Sequence, residues 1–405
     1  MPGHAARQWC SMQALRGVAA LMVVAFHALE QWHEAHPTHG PQRPDAWPGA
    51  VPAAGPAWPN GAAGVDLFFV ISGVVMIAAS ARLAGRADGW RVFLCRRAER
   101  IVPLYWLATA AKLALALCVP SLARHTRPDW VNTACSFLFL PAANAAGEIR
   151  PVLPAGWTLS FEMLFYLVFA AGLALRPRDG LRGVVLRVVL PALLVLSLAG
   201  LARAPGWPAV AVLADPLVLE FGAGAMLGLW VLHPTGKPAR APAAILGLVL
   251  LAIAAALALV WLPAGTPWWR ALDWGGPATL LVAALLALER RGTVRWPHAL
   301  LRLGDASYAI YLAHGFVLGG LAALHLPAAW TLLAAAMALS TAAGLAVHGG
   351  IERPIAAWFA RRRTGGTGRQ QASMGSPSAG LPTAQAGCRN LWPATPKPAK
   401  GPRTL

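Results

Sequence analysis

The chain has 405 residues; 57% are hydrophobic, only 12% are charged, and the mean hydropathy is +0.54. A soluble domain carries about 25% charged residues, so a water-soluble globule is excluded and a polytopic membrane protein is implied. The net charge of +18 would point to nucleic acid in a soluble protein. Here no folded basic module is visible, and the arginines sit in short loops between apolar runs, where the positive-inside rule places them.

Ten apolar runs approach the ~20 residues that cross a bilayer. They cover 13–30, 64–82, 101–120, 157–176, 184–202, 209–232, 242–262, 274–289, 305–324 and 328–349. The expected fold is all-α, a transmembrane bundle of about ten helices. The first run lacks a small-residue cleavage site and is read as a retained helix, not a signal peptide. Loops 83–100, 177–183, 233–241 and 290–304 and the segment after Ile351 carry the Arg and Lys residues. These are every second connection, so they are assigned to the cytoplasm, with both termini inside. Segment 131–141 is apolar but too short to span. Counting it as a helix would put the basic loop 177–183 outside, so it is read as re-entrant or interfacial.

Trp106, Trp157, Trp207, Trp230, Trp261, Trp274 and Trp330 fall near expected span ends, as in an aromatic belt. Loop 31–63 is rich in Pro, Gly and His and reads as an irregular external loop. Residues 1–360 form the membrane domain; 361–405 read as a disordered, basic cytoplasmic tail. Cys10, Cys95, Cys118, Cys135 and Cys388 share no metal spacing, and His33, His36 and His39 in a Pro-rich loop are a weak pattern, so no metal site is expected.

The first run, QALRGVAALMVVAFHAL, holds two ionisable residues where lipid tolerates few. Arg16 and His27 are three turns plus about 20° apart, on one face and separated by roughly 16 Å. GVDLFFVISGVVM brings Asp66 in from the outer side, with Ser72 and Gly73 deeper; the plainer reading of the latter two is a small-residue helix contact. FLCRRAERIVPLYW puts Arg96, Arg97 and Arg100 at the inner mouth of the third span, with Pro103 in its first turn. Guanidinium groups at a helix N-terminus favour a phosphate-rich anion; topology alone is the plainer explanation. GWTLSFEMLFY places Glu162 about one and a half turns into the fourth span. Glu220 is similar and more central, and Ser307, Tyr308 and His314 follow in the span 305–324. For His314 an interhelical hydrogen bond is the plainer reading.

Combined with the topology, these residues sort into two layers. A cationic layer of Arg16, Arg96, Arg97 and Arg100 faces the cytoplasm and would bind a donor. A layer of His27, Asp66 and Glu162 faces outward and would be catalytic. His27 would act as general base on an acceptor hydroxyl, its tautomer held by Glu162 or Asp66, or would itself take the acyl group. Ser72, Glu220, Ser307, Tyr308 and His314 are further candidates.

The pieces Arg16–x10–His27, GVDLFFVISG, RRAERIVPLYW, GWTLSFEMLFY, GDASYAIYLAH and Ile351–Pro354 occur in an order that resembles the acyltransferase 3 family of integral membrane acyltransferases, over about residues 10–358. The forms QALRGVAALMVVAFH and GWTLSFEMLFY look most like its exopolysaccharide branch. One departure is Val-Val-Met after Ser72–Gly73, an apolar-for-apolar exchange. The resemblance implies O-acetylation of a hydroxyl on an exopolysaccharide or other envelope glycan in the bacterial inner membrane. It implies acetyl-CoA as co-substrate, no tightly bound cofactor, and functional roles for Arg16, His27, Arg97 and Arg100. The tail is too short for an SGNH-type domain, so a two-domain relay is not expected. A transporter or flippase for a polysaccharide or lipid-linked sugar precursor is the alternative; the missing internal repeat speaks against it.

Overall fold

The computed structural model describes residues 10–35, 59–120, 126, 129–203, 207–232, 241–263, 267–324, 326 and 328–371. Helices account for most of them. In chain order they are α1 (Cys10–Ala35), α2 (Ala63–Ser80), α3 (Gly89–Cys118), α4 (Trp130–Phe137), α5 (Gly156–Leu175), α6 (Gly180–Leu201), α7 (Val218–Leu232), α8 (Pro242–Trp261), α9 (Pro267–Asp273), α10 (Gly275–Arg290), α11 (His298–Ala322), α12 (Ala329–Val347) and α13 (Arg353–Gln371). All ten expected spans are helical. Among the described residues eight helices are long and apolar enough to cross a membrane; α7 is apolar with 15 described residues, and α11, with 25, is more polar.

The order of burial follows from sequence. α1 between Ala14 and Leu29, and α2, are largely apolar all round, and both helices sit at the centre. α2 packs on α7, α1 and α10; α1 packs on α11, α12 and α2. Glycines set the closest crossings. A Cβ at Gly73 would lie 2.2 Å from the Phe221 carbonyl oxygen, and one at Gly304 would lie 1.9 Å from that of Gln13. Small residues let backbones approach in lipid, where the hydrophobic effect does not press helices together. α8 lies at the periphery with Leu246, Leu250, Ile253 and Leu257 exposed, as a lipid-facing helix requires.

Several boundaries differ from expectation for local reasons. α3 begins at Gly89, not 101, because the basic stretch before Ile101 is itself helix-favouring. Pro103 is therefore inside the helix and not in its first turn. The sixth span divides: a short 3-10 turn, Ala209–Leu213, precedes α7. Pro216 disfavours helix at Asp215, whose Oδ1 accepts from the Leu217 amide at 3.0 Å. α12 continues through a π-helical turn, His348–Glu352, into α13, where Arg363 pairs with Glu99 of α3. The helix thus reaches into the segment read as tail, whose residues 372–405 lie outside those described, as do 36–58 of the external loop.

Segment 131–141 contains α4, whose eight residues do not span. Asp129 caps it, Trp130 and Val131 are exposed, and Tyr105 and Trp106 of α3 donate to the carbonyls of Ser136 and Phe137 at 3.0 and 2.8 Å. Of the belt tryptophans, Trp106, Trp207, Trp230, Trp261 and Trp330 are exposed. Trp274 is wholly buried, donating to the Leu262 carbonyl at 2.9 Å.

Candidate active site

A cavity of about 100 Å³ opens between α1, α2, α3, α5 and α11. Pockets for drug-sized ligands measure roughly 300–1,000 Å³, so this cavity has room for one end of such a molecule. On α2 the lining residues Val65, Phe68, Phe69, Ser72, Val75 and Met76 recur with helical period. Arg16 comes from α1, Arg97, Arg100 and Ile101 from α3, Thr158, Leu159, Glu162 and Tyr166 from α5, and Tyr308 and Tyr311 from α11.

One end is cationic. Arg16 lies within electrostatic reach of Arg100, Glu162, Glu352 and Asp305. Among the described residues Glu162 is the only carboxylate lining the cavity; its Oε1 accepts from Ser72 Oγ at 3.1 Å and from the Tyr166 hydroxyl. Among the described residues none of Arg16, Arg97 and Arg100 forms an ion pair, and Arg97 Nε is buried without a hydrogen-bond partner. An excess of guanidinium over carboxylate, largely removed from water, is a site for a multiply charged anion. The arginines sit roughly 12–16 Å beyond the first residue of α3, so side chains and not the helix N-terminus supply the positive charge.

The histidines lie beyond the other end. Along α11, Tyr308, Tyr311 and His314 follow at three-residue steps; Tyr308 donates to the Ile101 carbonyl at 2.8 Å, next to Arg100. The His27 and His314 rings stack, with centroids 5.3 Å apart and planes 21° from parallel. His314 is buried, with Nδ1 against the Tyr311 carbonyl. His27 Nδ1 is 2.9 Å from Glu30 Oε2 on the same helix. With the Nδ1 proton held there, Nε2 is the free lone pair, as a base or nucleophile needs.

The sequence model of a family described as an acyltransferase domain matches residues 11–349. The chain belongs to this acyltransferase family. It is 39% identical over 306 residues to the exopolysaccharide production protein ExoZ of Rhizobium meliloti (strain 1021), covering 73% of this chain and 89% of that one. It is 28% identical over 401 residues to the acyltransferase MdmB of Streptomyces mycarofaciens, covering 91% and 96%. No solved structure matches the chain significantly. The protein is a multi-pass membrane O-acyltransferase of the exopolysaccharide-related branch.

Within this acyltransferase the expected outer layer is rearranged. Glu162 does not reach His27; it faces the arginines, because it lies one turn from Tyr166 on the cavity side of α5. Asp66 does not reach His27 either. It is one residue past Val65, about 100° round α2, and is fully buried against Arg270 of α9, with Nη2 at 3.0 Å and Nε at 3.3 Å. Glu30 takes the place proposed for both. Arg96 is exposed and points away from the cavity. Glu220 and Ser307 are buried outside the cavity lining, Glu220 beside Asp66 and Arg270; among the described residues the Ser307 hydroxyl has no hydrogen-bond partner. Ser72, Tyr308 and His314 do join the site, while Gly73 makes the helix contact.

Several participants carried a signal that spacing could have revealed. Glu30 is three residues from His27, and Tyr166 four from Glu162, so each pair shares a helix face. Thr158 and Tyr311 lay unnoticed inside motifs already singled out. Lys112, whose ammonium lies 5.7 Å from the Phe316 ring centroid, is a buried cation within α3. Arg270 is 204 positions from Asp66, and no local pattern links them.

Proposed function

We propose that this acyltransferase moves an acetyl group from acetyl-CoA, bound from the face of the basic loops, to a hydroxyl of an exopolysaccharide or other envelope glycan at the opposite face. The setting is the bacterial cytoplasmic membrane, with both termini inside. The observation that carries the reading is one cavity with Arg16, Arg97 and Arg100 at one end and the His27–His314 stack beyond the other. The phosphates of the donor dock on the guanidinium groups and its thioester end enters the cavity. His27 Nε2 removes the acceptor hydroxyl proton while the hydroxyl oxygen bonds the acyl carbon. The C–S bond then breaks, and the departing sulfur takes up that proton. The ExoZ relative, named for exopolysaccharide production, supports a glycan acceptor.

The test uses membranes carrying the protein, labelled acetyl-CoA and glycan stripped of its acetyl esters with alkali. Label should appear on glycan with the wild-type chain and not with His27→Ala at equal protein level. Label transfer by His27→Ala, or none by wild type, contradicts the reading.

A further inference from the structure

We propose that the hydroxyls of Tyr311 and Thr158 form the oxyanion-binding site of the transfer reaction. This rests on the acetyl-transfer reading above and adds the group that receives the charge developing on the thioester carbonyl.

Both residues line the cavity and both are buried, Thr158 at 6% and Tyr311 at 7% exposure. Their oxygens are 2.8 Å apart. Each also faces the Ala155 carbonyl, Thr158 Oγ1 at 3.1 Å and the Tyr311 oxygen at 3.3 Å. Two hydroxyl protons thus serve three oxygens: one bridges the hydroxyls and one goes to Ala155. The pair is ready to offer a proton to a fourth oxygen without unfolding any helix.

Position singles out this pair. On α5, Tyr166, Glu162 and Thr158 step away from the arginines one turn at a time; on α11, Tyr308, Tyr311 and His314 do the same. Tyr311 and Thr158 are the last polar groups before the histidines, and the Tyr311 ring is 5.7 Å from that of His314. Around them the cavity is apolar: Val65, Phe68 and Leu159 complete this end, with Phe68 edge-on to Tyr311 at 6.0 Å. The other lining hydroxyl nearby, Ser72, donates to Glu162 at 3.1 Å. In such a low-dielectric site a prepositioned donor is worth far more than in water.

As the acceptor oxygen bonds the acyl carbon, the carbonyl π electrons move to oxygen, and the Tyr311 O–H, whose own oxygen accepts the Thr158 proton, holds that charge. When the carbonyl re-forms, the electron pair of the C–S bond leaves on sulfur. Tyr311, the more acidic hydroxyl, is the principal donor; Thr158 orients it. The pair is wanted whether the attacking atom is the acceptor oxygen or His27 Nε2, since both routes pass through the same oxyanion.

The experiment measures CoA release by the full-length chain in lipid nanodiscs, with acetyl-CoA and alkali-treated glycan, for wild type, Tyr311→Phe, Thr158→Val and Thr158→Ser. Tyr311→Phe keeps the ring that packs on His314 and Phe68. Removing one oxyanion donor costs about 10²–10³-fold in kcat. That loss is expected for Tyr311→Phe, with unchanged KM for acetyl-CoA and unchanged affinity for CoA, which has no carbonyl. Thr158→Val should lose less, and Thr158→Ser should restore the rate. A kcat within threefold of wild type in Tyr311→Phe, a loss confined to KM, or lost CoA binding overturns the proposal and leaves the acetyl-transfer reading standing. No CoA release by wild type overturns both.

Discussion

His27 is clasped from two helices: Glu30 holds its Nδ1 at 2.9 Å, and His314 lies across its ring at 5.3 Å. An aromatic stack is worth about 0.5–1.5 kcal/mol. His314→Ala should therefore slow acetyl transfer by roughly 2- to 10-fold, whereas His314→Phe, which preserves a stacking ring, should retain most activity. Initial rates of label transfer to glycan decide this; equal losses in the two variants would show that stacking is not what matters.

Glu30→Gln keeps size and polarity but removes the charge that fixes the His27 tautomer. General-base catalysis contributes about 10²–10⁴-fold. His27→Gln should lose all of it, and Glu30→Gln a smaller part. Quantifying acetyl esters on surface glycan by mass spectrometry, at matched protein level, distinguishes the two. Wild-type acetyl content in the Glu30 variant would remove it from the site.

Arg97→Ala and Arg100→Ala should each raise KM for acetyl-CoA by about 10- to 100-fold, since a hydrogen bond to a charged group is worth about 1.5–3 kcal/mol. Arg100→Lys should recover only part, because an ammonium lacks the planar fork. Arg96→Ala, on the exposed side of α3, should leave KM unchanged. A KM increase for Arg96→Ala like that of its neighbours would mean the donor docks outside the cavity.

Asp66→Asn or Arg270→Met alone breaks a buried ion pair, a loss of about 3–5 kcal/mol. Both should lower the thermal midpoint in detergent while specific activity per folded molecule holds. The double variant Asp66→Leu/Arg270→Met should regain much of the stability. Loss of activity in a fully stable Asp66 variant would return Asp66 to the catalytic list.

The helical class, most of the spans and the cluster of arginines could be read from the chain because lipid imposes a strict rule: a run of apolar residues about 20 long crosses. Arg16, Arg97, Arg100 and His27 stood out because ionisable groups are rare in such runs. The partners of Asp66 and Glu162 did not. Depth in the membrane orders residues along one axis only; which face of a helix meets which neighbour depends on close crossings such as Gly73 against α7 and Gly304 against α1. Loop charge assigns Asp66, Glu162 and His27 to one layer, yet Asp66 meets Arg270 and Glu162 faces the arginine cavity. The span edges at α3 and α7 were misjudged because Arg-rich sequence still forms helix and because Asp215–Pro216 breaks it.

The closest helix crossings have a consequence for how the chain can vary. A Cβ at Gly73 or at Gly304 would fall on a backbone carbonyl oxygen, at 2.2 and 1.9 Å, and a helix cannot shift one carbonyl without shifting the turn that holds it. Neither position therefore accepts a side chain of any chemistry, and exchange there would part α2 from α7 or α1 from α11.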